Sequence, residues 1–378
     1  MKKMLFLTGT RADFGKLKSL ISKVEENPAL EAHIFITGMH MMAKYGMTAN
    51  EVDKAGFKST YRYINQNGFD SMDVVLSKTI QGLSDYVKEL GPDMIVIHGD
   101  RVEAMAGAIV GALNNILVAH VEGGEVSGTI DELIRHSVSK MSHLHFVANE
   151  EAKNRLIQLG ECESTIYTIG SPDLDIMISS NLPSLKEVKE RYNIPFETYS
   201  VFMYHPVTTE INDLKANISN TVDALIESQK NYVVIYPNND HGSQIIIDEL
   251  SRLEDNNRFC IFPSIRFEYF LTLLKMSEFM IGNSSAGVRE VPFYGKPSIN
   301  LGSRQNNRSN AQSIKNVIEK KEDILKAIQE LPNIKCEPVK EFGDGSSDEN
   351  FIRAINDSKI WQTNKQKRFM DLKKNYDV

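Results

Sequence analysis

Short, almost uninterrupted apolar runs alternate with longer amphipathic stretches along most of this chain, and this alternation constrains its fold most strongly. Strands apolar at consecutive positions need cover on both faces, which helices crossing between parallel strands provide. Repeated β-α alternation therefore predicts parallel sheets with right-handed crossovers. In the first half the pattern predicts strands over 3–8, 32–37, 94–98, 116–121, 144–148 and 166–169. Helices are predicted between them over 15–24, 71–90, 103–113, 130–141 and 151–159.

The pattern breaks at Ser179-Ser180-Asn181-Leu182-Pro183-Ser184, a polar, proline-containing linker. It resumes with strands over 200–204, 232–236, 258–262, 279–281 and 298–300, and helices over 218–227, 245–253, 268–276 and 287–294. A chain of 378 residues is too long for one small core. The expected fold class is α/β, with two Rossmann-like domains, 1–178 and 185–357, facing across a cleft. A C-terminal helix over 358–378 is expected to pack back on the first domain through Trp361 and Phe369. Its basic residues, Lys365-Gln366-Lys367-Arg368 and Lys373-Lys374, read as a solvated face.

A net charge of −7 argues against general nucleic-acid binding, although a local basic site can still take a small anion. Cys162, Cys260 and Cys336 form no CxxC pair, which fits a reducing compartment and suggests no zinc site. The apolar run Met4-Leu5-Phe6-Leu7 ends at once in Thr8-Gly9-Thr10-Arg11, too short for a signal peptide, so it reads as a strand. No apolar stretch approaches the ~20 residues that cross a bilayer. A cytoplasmic protein is expected, without membrane or nucleic-acid partners.

In open α/β sheets, ligands bind beyond the carboxyl ends of the strands, so the strand-to-helix junctions carry the argument. The first strand runs into Thr8-Gly9-Thr10-Arg11-Ala12-Asp13-Phe14-Gly15-Lys16, where a glycine turn exposes backbone amides and Arg11 and Lys16 are cations suited to phosphate. This is neither a Walker A loop nor a GxGxxG fingerprint. Later strands deliver Asp100 and Arg101, then Glu122 and Asp131, to the same rim. A single acidic residue at a helix entrance is more often a cap, but three converging carboxylates push their pKa values apart, as acid–base chemistry requires. His136, His143 and His145 fall on different faces and read as structural, not as a metal site.

In the second half, Tyr204-His205-Pro206-Val207-Thr208-Thr209-Glu210 and Pro237-Asn238-Asn239-Asp240 follow strands. Gly282-Asn283-Ser284-Ser285-Ala286-Gly287-Val288-Arg289-Glu290 leads from a strand into a helix, as a diphosphate-binding N-terminus would. Glu290, about a turn further on, could accept from ribose hydroxyls.

These motifs, together with Thr37-Gly38-Met39-His40, His98-Gly99-Asp100-Arg101 and His120-Val121-Glu122-Gly123-Gly124-Glu125, closely resemble the hydrolysing UDP-N-acetylglucosamine 2-epimerases of sialic-acid biosynthesis. The resemblance runs from the first strand to about Arg308. It implies a glycosyltransferase-B-like fold, a homodimer or homotetramer, and no required cofactor. It also implies conversion of UDP-N-acetylglucosamine and water to N-acetylmannosamine and UDP. By resemblance, Asp100, Glu122 and Asp131 are the catalytic carboxylates. The substrate-binding set is Arg11, Lys16, His40, Arg101, His205, Asn238, Ser284, Ser285, Ala286, Gly287, Glu290 and Arg304. Non-hydrolysing siblings typically carry Thr-Arg-Pro-Glu at Thr10-Arg11-Ala12-Asp13, and an arginine-rich stretch at Pro206-Val207-Thr208-Thr209; both departures favour the hydrolysing branch.

The implied route eliminates UDP across C1–C2 to a glycal, then adds water at C1 and a proton at C2. Inversion at C2 needs at least two positioned acid–base groups, and the sequence does not assign each proton. Three alternatives stand beside it: the same chemistry on UDP-2,4-diacetamido-2,4,6-trideoxyglucose for legionaminic acid, a glycosyltransferase of the same fold, and a non-catalytic nucleotide-sugar sensor.

Overall fold

The computed structural model describes residues 1–127, 130–238, 240–309, 311–331, 336–368 and 370–371. The chain forms two compact units. The first takes in Met1–Glu125, Asp131–Ile178 and the chain from Glu341 onward; the second takes in Ser179–Lys340.

The first unit holds strands β1 (Lys2–Thr8), β2 (Leu30–Ile36), β3 (Thr60–Arg62), β4 (Met94–His98), β5 (Leu117–Val121), β6 (Leu144–Val147) and β7 (Ile166–Thr168). Its helices are α1 (Arg11–Glu26), α2 (Ala49–Lys54), α3 (Met72–Leu90), α4 (Val102–Leu113), α5 (Ile130–Met141), α6 (Glu150–Gln158) and α7 (Pro172–Met177). The strands form one parallel sheet in the order β3-β2-β1-β4-β5-β6-β7. Every residue of β5 and β6 is buried, because helices cover both faces of the sheet, so apolar residues occur at consecutive positions. Strand order reverses between β1 and β4, which places the ends of these strands, Thr8-Gly9 and His98-Gly99, side by side.

The second unit holds α8 (Leu185–Tyr192), β8 (Ser200–Met203), α9 (Leu214–Glu227), β9 (Tyr232–Ile235), α10 (Ser243–Leu250), β10 (Phe259–Phe262) and α11 (Phe267–Met276). It continues with β11 (Met280–Gly282), α12 (Glu290–Phe293), β12 (Ser298–Leu301), β13 (Ile314–Val317) and α13 (Lys321–Glu330). Its parallel sheet is ordered β10-β9-β8-β11-β12-β13, with the reversal between β8 and β11. At that point Gly282 has φ +135°, and a Cβ there would lie 1.9 Å from the Met203 carbonyl oxygen, so only glycine fits.

Three sequence expectations are corrected. The edge strands β3 and β13 carry no apolar run, because β3 is exposed throughout and β13 is not fully buried at any position, and they escape a search for continuous hydrophobicity. No single helix spans 287–294: a 3₁₀ turn at Ser285–Gly287 precedes the short α12, whose Pro292 cannot donate.

The chain's return to the first unit begins earlier than expected, with α14 (Ser347–Ile355), and beyond a 3₁₀ turn at Ile360–Gln362 no helix is present among the described residues. Phe351, Ile355 and Ile360 join the core of the first sheet, and Phe351 meets Phe146 edge-on at 4.8 Å. Burying each such side chain contributes about 1.5–3 kcal/mol. Asp175 of α7 caps α14 by accepting from the Ser347 and Asp348 amides at 2.8 and 3.0 Å. Trp361 packs half-buried against the same core and donates to the Ile355 carbonyl at 2.9 Å. Phe369, Lys373 and Lys374, like Gly128, Thr129 and Asn239, lie outside the described residues.

Candidate active site

At the first unit's reversal point, Thr10 and Asp13 form a capping box at the start of α1, and Asp13 also accepts from the Gly9 amide at 3.0 Å. Arg11 is the first residue of that helix and is partly exposed. Gly38, at φ +64°, packs so closely on Gly9 that a Cβ would lie 2.6 Å from the Gly9 carbonyl oxygen and 2.7 Å from Glu103 Oε1. Two of the motifs are therefore one packed junction.

His40 is fully buried there, with Nε2 3.0 Å from Thr8 Oγ1 and Nδ1 2.7 Å from Thr48 Oγ1. Burial pushes its pKa down to about 4, so the ring is neutral. Both ring nitrogens are engaged by threonines, so His40 shapes the loop at the end of the first strand.

Glu122, the residue after β5, is 4 % exposed and adopts φ +61°, a left-handed conformation that costs a non-glycine residue about 1–2 kcal/mol. Its amide donates to the Phe146 carbonyl at 2.8 Å, which fixes the strained turn. The carboxylate Oε2 lies 2.8 Å from His98 Nε2 and 3.3 Å from Lys16 Nζ. Oε1 meets Ser171 Oγ, which also meets Asp173 Oδ1. Lys16 Nζ is 3.0 Å from Asp173 Oδ2. Lys16 thus pairs with two buried carboxylates on the rim where the sequence placed a phosphate-binding cation.

Asp100 pairs with Nη2 of Arg135, whose Nη1 donates to the Glu125 carbonyl at 3.2 Å. Arg135 is 2 % exposed, one helical turn beyond Asp131, which occupies the first turn of α5. Arg101 Nε donates to the buried Glu103 at 3.2 Å. His120 lies under this rim, with Nε2 2.7 Å from the Gly99 carbonyl and Nδ1 3.0 Å from Ser139 Oγ. Burial pushes its pKa down to about 3. Asp100 and Glu122 therefore share one rim, and α5 carries Asp131 beside the arginine that holds Asp100.

In the second unit, the fully buried Asn283 brackets the reversal point. Its Oδ1 accepts from the His205 amide at 2.6 Å and its Nδ2 donates to the His205 carbonyl at 2.8 Å. The Asn283 carbonyl accepts from Arg304 Nη1 at 3.2 Å and from Gln305 Nε2 at 2.9 Å. His205 Nδ1 accepts from the Asn238 amide at 3.0 Å, so a neutral ring carries its proton on Nε2. Asn238 acts here through its backbone, positioning His205. Ser284 Oγ accepts from the Ala286 amide at 3.4 Å, and the Ser284 carbonyl takes the Gly287 amide at 3.1 Å. This corrects the expected free amides at Ala286 and Gly287: Ser284 caps its own turn and keeps a hydroxyl proton to donate. Glu290 is buried at the start of α12.

The three histidines read from the sequence as structural have protein partners. His143 Nδ1 accepts from the Val118 amide at 3.0 Å, and His145 Nε2 lies 3.0 Å from Glu161. His136 lies 3.6 Å from Glu132 on the same helix. Among the described residues no group of three or more metal-ligating side chains occurs, and no helix is long and apolar enough to cross a membrane.

Sequence reasoning missed Ser171 and Asp173 as rim residues, Arg135 as the partner of Asp100, and Asn283 as the organiser of the His205 segment. One signal was present: Gly170-Ser171-Pro172-Asp173 follows β7 as a strand-to-helix turn, with proline at the first position of α7.

Residues 22–356 match the family model described as UDP-N-acetylglucosamine 2-epimerase. The chain is 50% identical over 376 residues to a UDP-N-acetylglucosamine 2-epimerase of Neisseria meningitidis, covering 98% of this chain and 100% of that protein. It is 32% identical to a Legionella pneumophila UDP-N,N'-diacetylbacillosamine 2-epimerase (hydrolyzing), over 94% of this chain and 96% of that one. In fold it matches the Methanocaldococcus jannaschii UDP-GlcNAc 2-epimerase structure with a TM-score of 0.80 at 23% identity, over 94% of this chain and 99% of that one.

Proposed function

This chain belongs to the UDP-N-acetylglucosamine 2-epimerase family, and from that membership we propose that it is a hydrolysing 2-epimerase. It converts UDP-N-acetylglucosamine and water to N-acetylmannosamine and UDP, the first step of sialic-acid synthesis. The observation that carries the reading is Glu122. A carboxylate held in a strained left-handed turn at a strand end, beside His98, is a group kept in place for chemistry.

The C2 proton of the sugar is not α to a carbonyl, so inversion proceeds by elimination of UDP to a 2-acetamidoglucal. Asp100, Glu122 and Asp131 supply the acid–base groups that remove one proton at C2 and return another on the opposite face. Arg11, Arg101, His205, Ser284, Ser285 and Arg304 neutralise the departing diphosphate, and Glu290 takes the ribose. His205 is suited to this because its Nε2 carries the proton while Asn238 occupies Nδ1.

The hydrolysing branch is supported by Ala12-Asp13 in place of Pro-Glu, where the short Asp13 carboxylate closes the α1 capping box. The Neisseria relative at 50% identity favours N-acetylglucosamine, against 32% for the Legionella enzyme, whose sugar is the 2,4-diacetamido alternative under its trivial name. The enzyme acts without a cofactor, in the cytoplasm, as a homo-oligomer.

The test is NMR of the purified protein with UDP-N-acetylglucosamine in deuterated water. UDP and N-acetylmannosamine deuterated at C2 are expected. Accumulation of UDP-N-acetylmannosamine would sink the hydrolysing assignment, and turnover confined to the diacetamido nucleotide would move the substrate to the alternative.

A further inference from the structure

We propose that Ser139 is a positioning residue for the catalytic rim: its hydroxyl anchors the His120 ring, and the ring holds the peptide that leads into Asp100. The inference deepens the 2-epimerase reading and rests on it for its catalytic meaning. Ser139 lies in the last turn of α5, and both it and His120 are 0 % exposed.

Serines near a helix end commonly bond back to their own helix. Ser137 Oγ donates to the Leu133 carbonyl at 2.8 Å, and Ser142 Oγ to the Val138 carbonyl at 2.8 Å. Ser139, between them, turns to His120 instead. The roles in that bond follow from the far side of the ring. His120 Nε2 lies 2.7 Å from the Gly99 carbonyl, which only accepts, so Nε2 carries a hydrogen. Burial is the largest influence on the ring, ahead of His145, His98 and Glu122, and keeps it neutral. Nδ1 is therefore an acceptor, and the Ser139 hydroxyl 3.0 Å away donates to it.

The Gly99 carbonyl and the Asp100 amide belong to one planar peptide group. Whatever holds that oxygen sets the direction in which Asp100 leaves the turn. Gly99 has φ +70°, and a Cβ there would meet nothing within 4 Å, so its own sterics leave this peptide free to rotate. The Gly99 amide is held by the Val121 carbonyl at 3.0 Å; His120 holds the other side.

The same bond lies against the turn that carries Glu122. A Cβ on Gly123 would come within 2.8 Å of both His120 Nδ1 and Ser139 Oγ, so the backbone after Glu122 packs directly on the serine–histidine pair. Ser139 is itself fixed, because its carbonyl receives the Lys367 ammonium at 3.1 Å. One buried hydrogen bond thus supports the turns beyond β4 and β5. Without it, the ring keeps a buried acceptor with no donor and loses the anchor that aims Nε2 at Gly99.

The test uses the full chain as wild type, Ser139→Ala, Ser139→Thr and Ser142→Ala. Ser142 is equally buried but bonds only within its own helix end, so its variant reports a purely structural loss. Ser139→Ala is expected to lower kcat for UDP-N-acetylglucosamine by about 10- to 100-fold, with KM and calorimetric UDP affinity held within about threefold. Ser142→Ala should keep kcat within about twofold. Ser139→Thr keeps the hydroxyl and should recover most of the loss. Histidine-labelled nitrogen NMR should show wild-type His120 with its hydrogen on Nε2, protected from exchange. In Ser139→Ala the Nδ1 signal should move and that protection should fall.

Unchanged kcat in Ser139→Ala, an equal loss in Ser142→Ala, or UDP affinity falling with kcat would each overturn the proposal. So would a wild-type ring protonated on Nδ1, or a Ser139→Thr protein that restores the Nδ1 signal yet stays as slow as Ser139→Ala. A wild-type protein inert on UDP-N-acetylglucosamine, whose Nε2 protection falls in Ser139→Ala alone, would defeat the substrate assignment and uphold the anchor.

Discussion

The buried guanidinium of Arg135 donates to the Asp100 carboxylate, tying an acid just beyond the end of β4 to the helix that carries Asp131. Asp100 is 28 % exposed, so it regains water if the arginine is removed. Arg135→Met should therefore cost about 1–3 kcal/mol, less than the ~3–5 kcal/mol of a fully buried broken pair. Urea unfolding reads that loss. Arg135→Lys should not restore activity, because an ammonium cannot span Asp100 and the Glu125 carbonyl as the planar fork does.

Glu122→Gln separates a catalyst from a sensor. The amide keeps size and polarity but cannot take a proton, so turnover should fall by about 100-fold or more. Titration calorimetry with UDP should return an affinity within a few-fold of wild type. A large loss of UDP binding would mean that Glu122 holds ligand instead.

Asn283→Ala removes both bonds from the buried asparagine side chain to the His205 backbone. Leaving that amide and carbonyl buried without them should cost about 2–4 kcal/mol. Weaker UDP binding should accompany the loss, since His205 and Arg304 are both set by Asn283.

Lys367 is a latch on the far end of α5. Its Nζ pairs with the buried Glu161 and donates to the Ser139 and Lys140 carbonyls at 3.1 and 2.8 Å. Lys367→Met keeps the aliphatic stem and removes the charge. Glu161 retains His145 and Lys140, each at 3.0 Å, so the expected cost is about 1–3 kcal/mol, readable as a lowered thermal midpoint.

Acid should destabilise the fold through neutral buried histidines. Burial pushes His40 down to about 4 and His120 to about 3, against 6.5 for the free side chain. Below pH 6.5 the unfolded chain binds protons that the folded chain refuses, so stability falls with pH from there until the folded values are reached. Near pH 5 these two groups together contribute a slope of about 2.7 kcal/mol per pH unit. Denaturant midpoints measured between pH 7 and 5 would show it. Imidazole NMR should find neither ring titrating in that range; a ring that does titrate there contradicts its burial.

The covered strands were legible because their signal is local. Met94–His98 is apolar almost throughout, as a strand with helices on both faces must be, and the predicted bounds of β4 and α5 coincide with the observed ones. The edge strands β3 and β13 were not legible, since neither buries its residues and so neither needs such a run. Candidate acids at strand ends could also be located, because parallel sheets place ligand groups there.

The sequence by itself determined that two parallel α/β units would form and that Asp100, Glu122 and His205 would stand at strand ends, since periodicity and turn chemistry act over a few residues. Only the tertiary structure decided what those residues meet. Lys16 reaches Glu122 across 106 positions, Ser171 reaches it across 49, and Asp100 meets Arg135 across 35. His40 likewise turns inward onto Thr8 and Thr48. Such partners are chosen by strand order and by the cost of burying a charge alone, and neither leaves a local pattern in the chain.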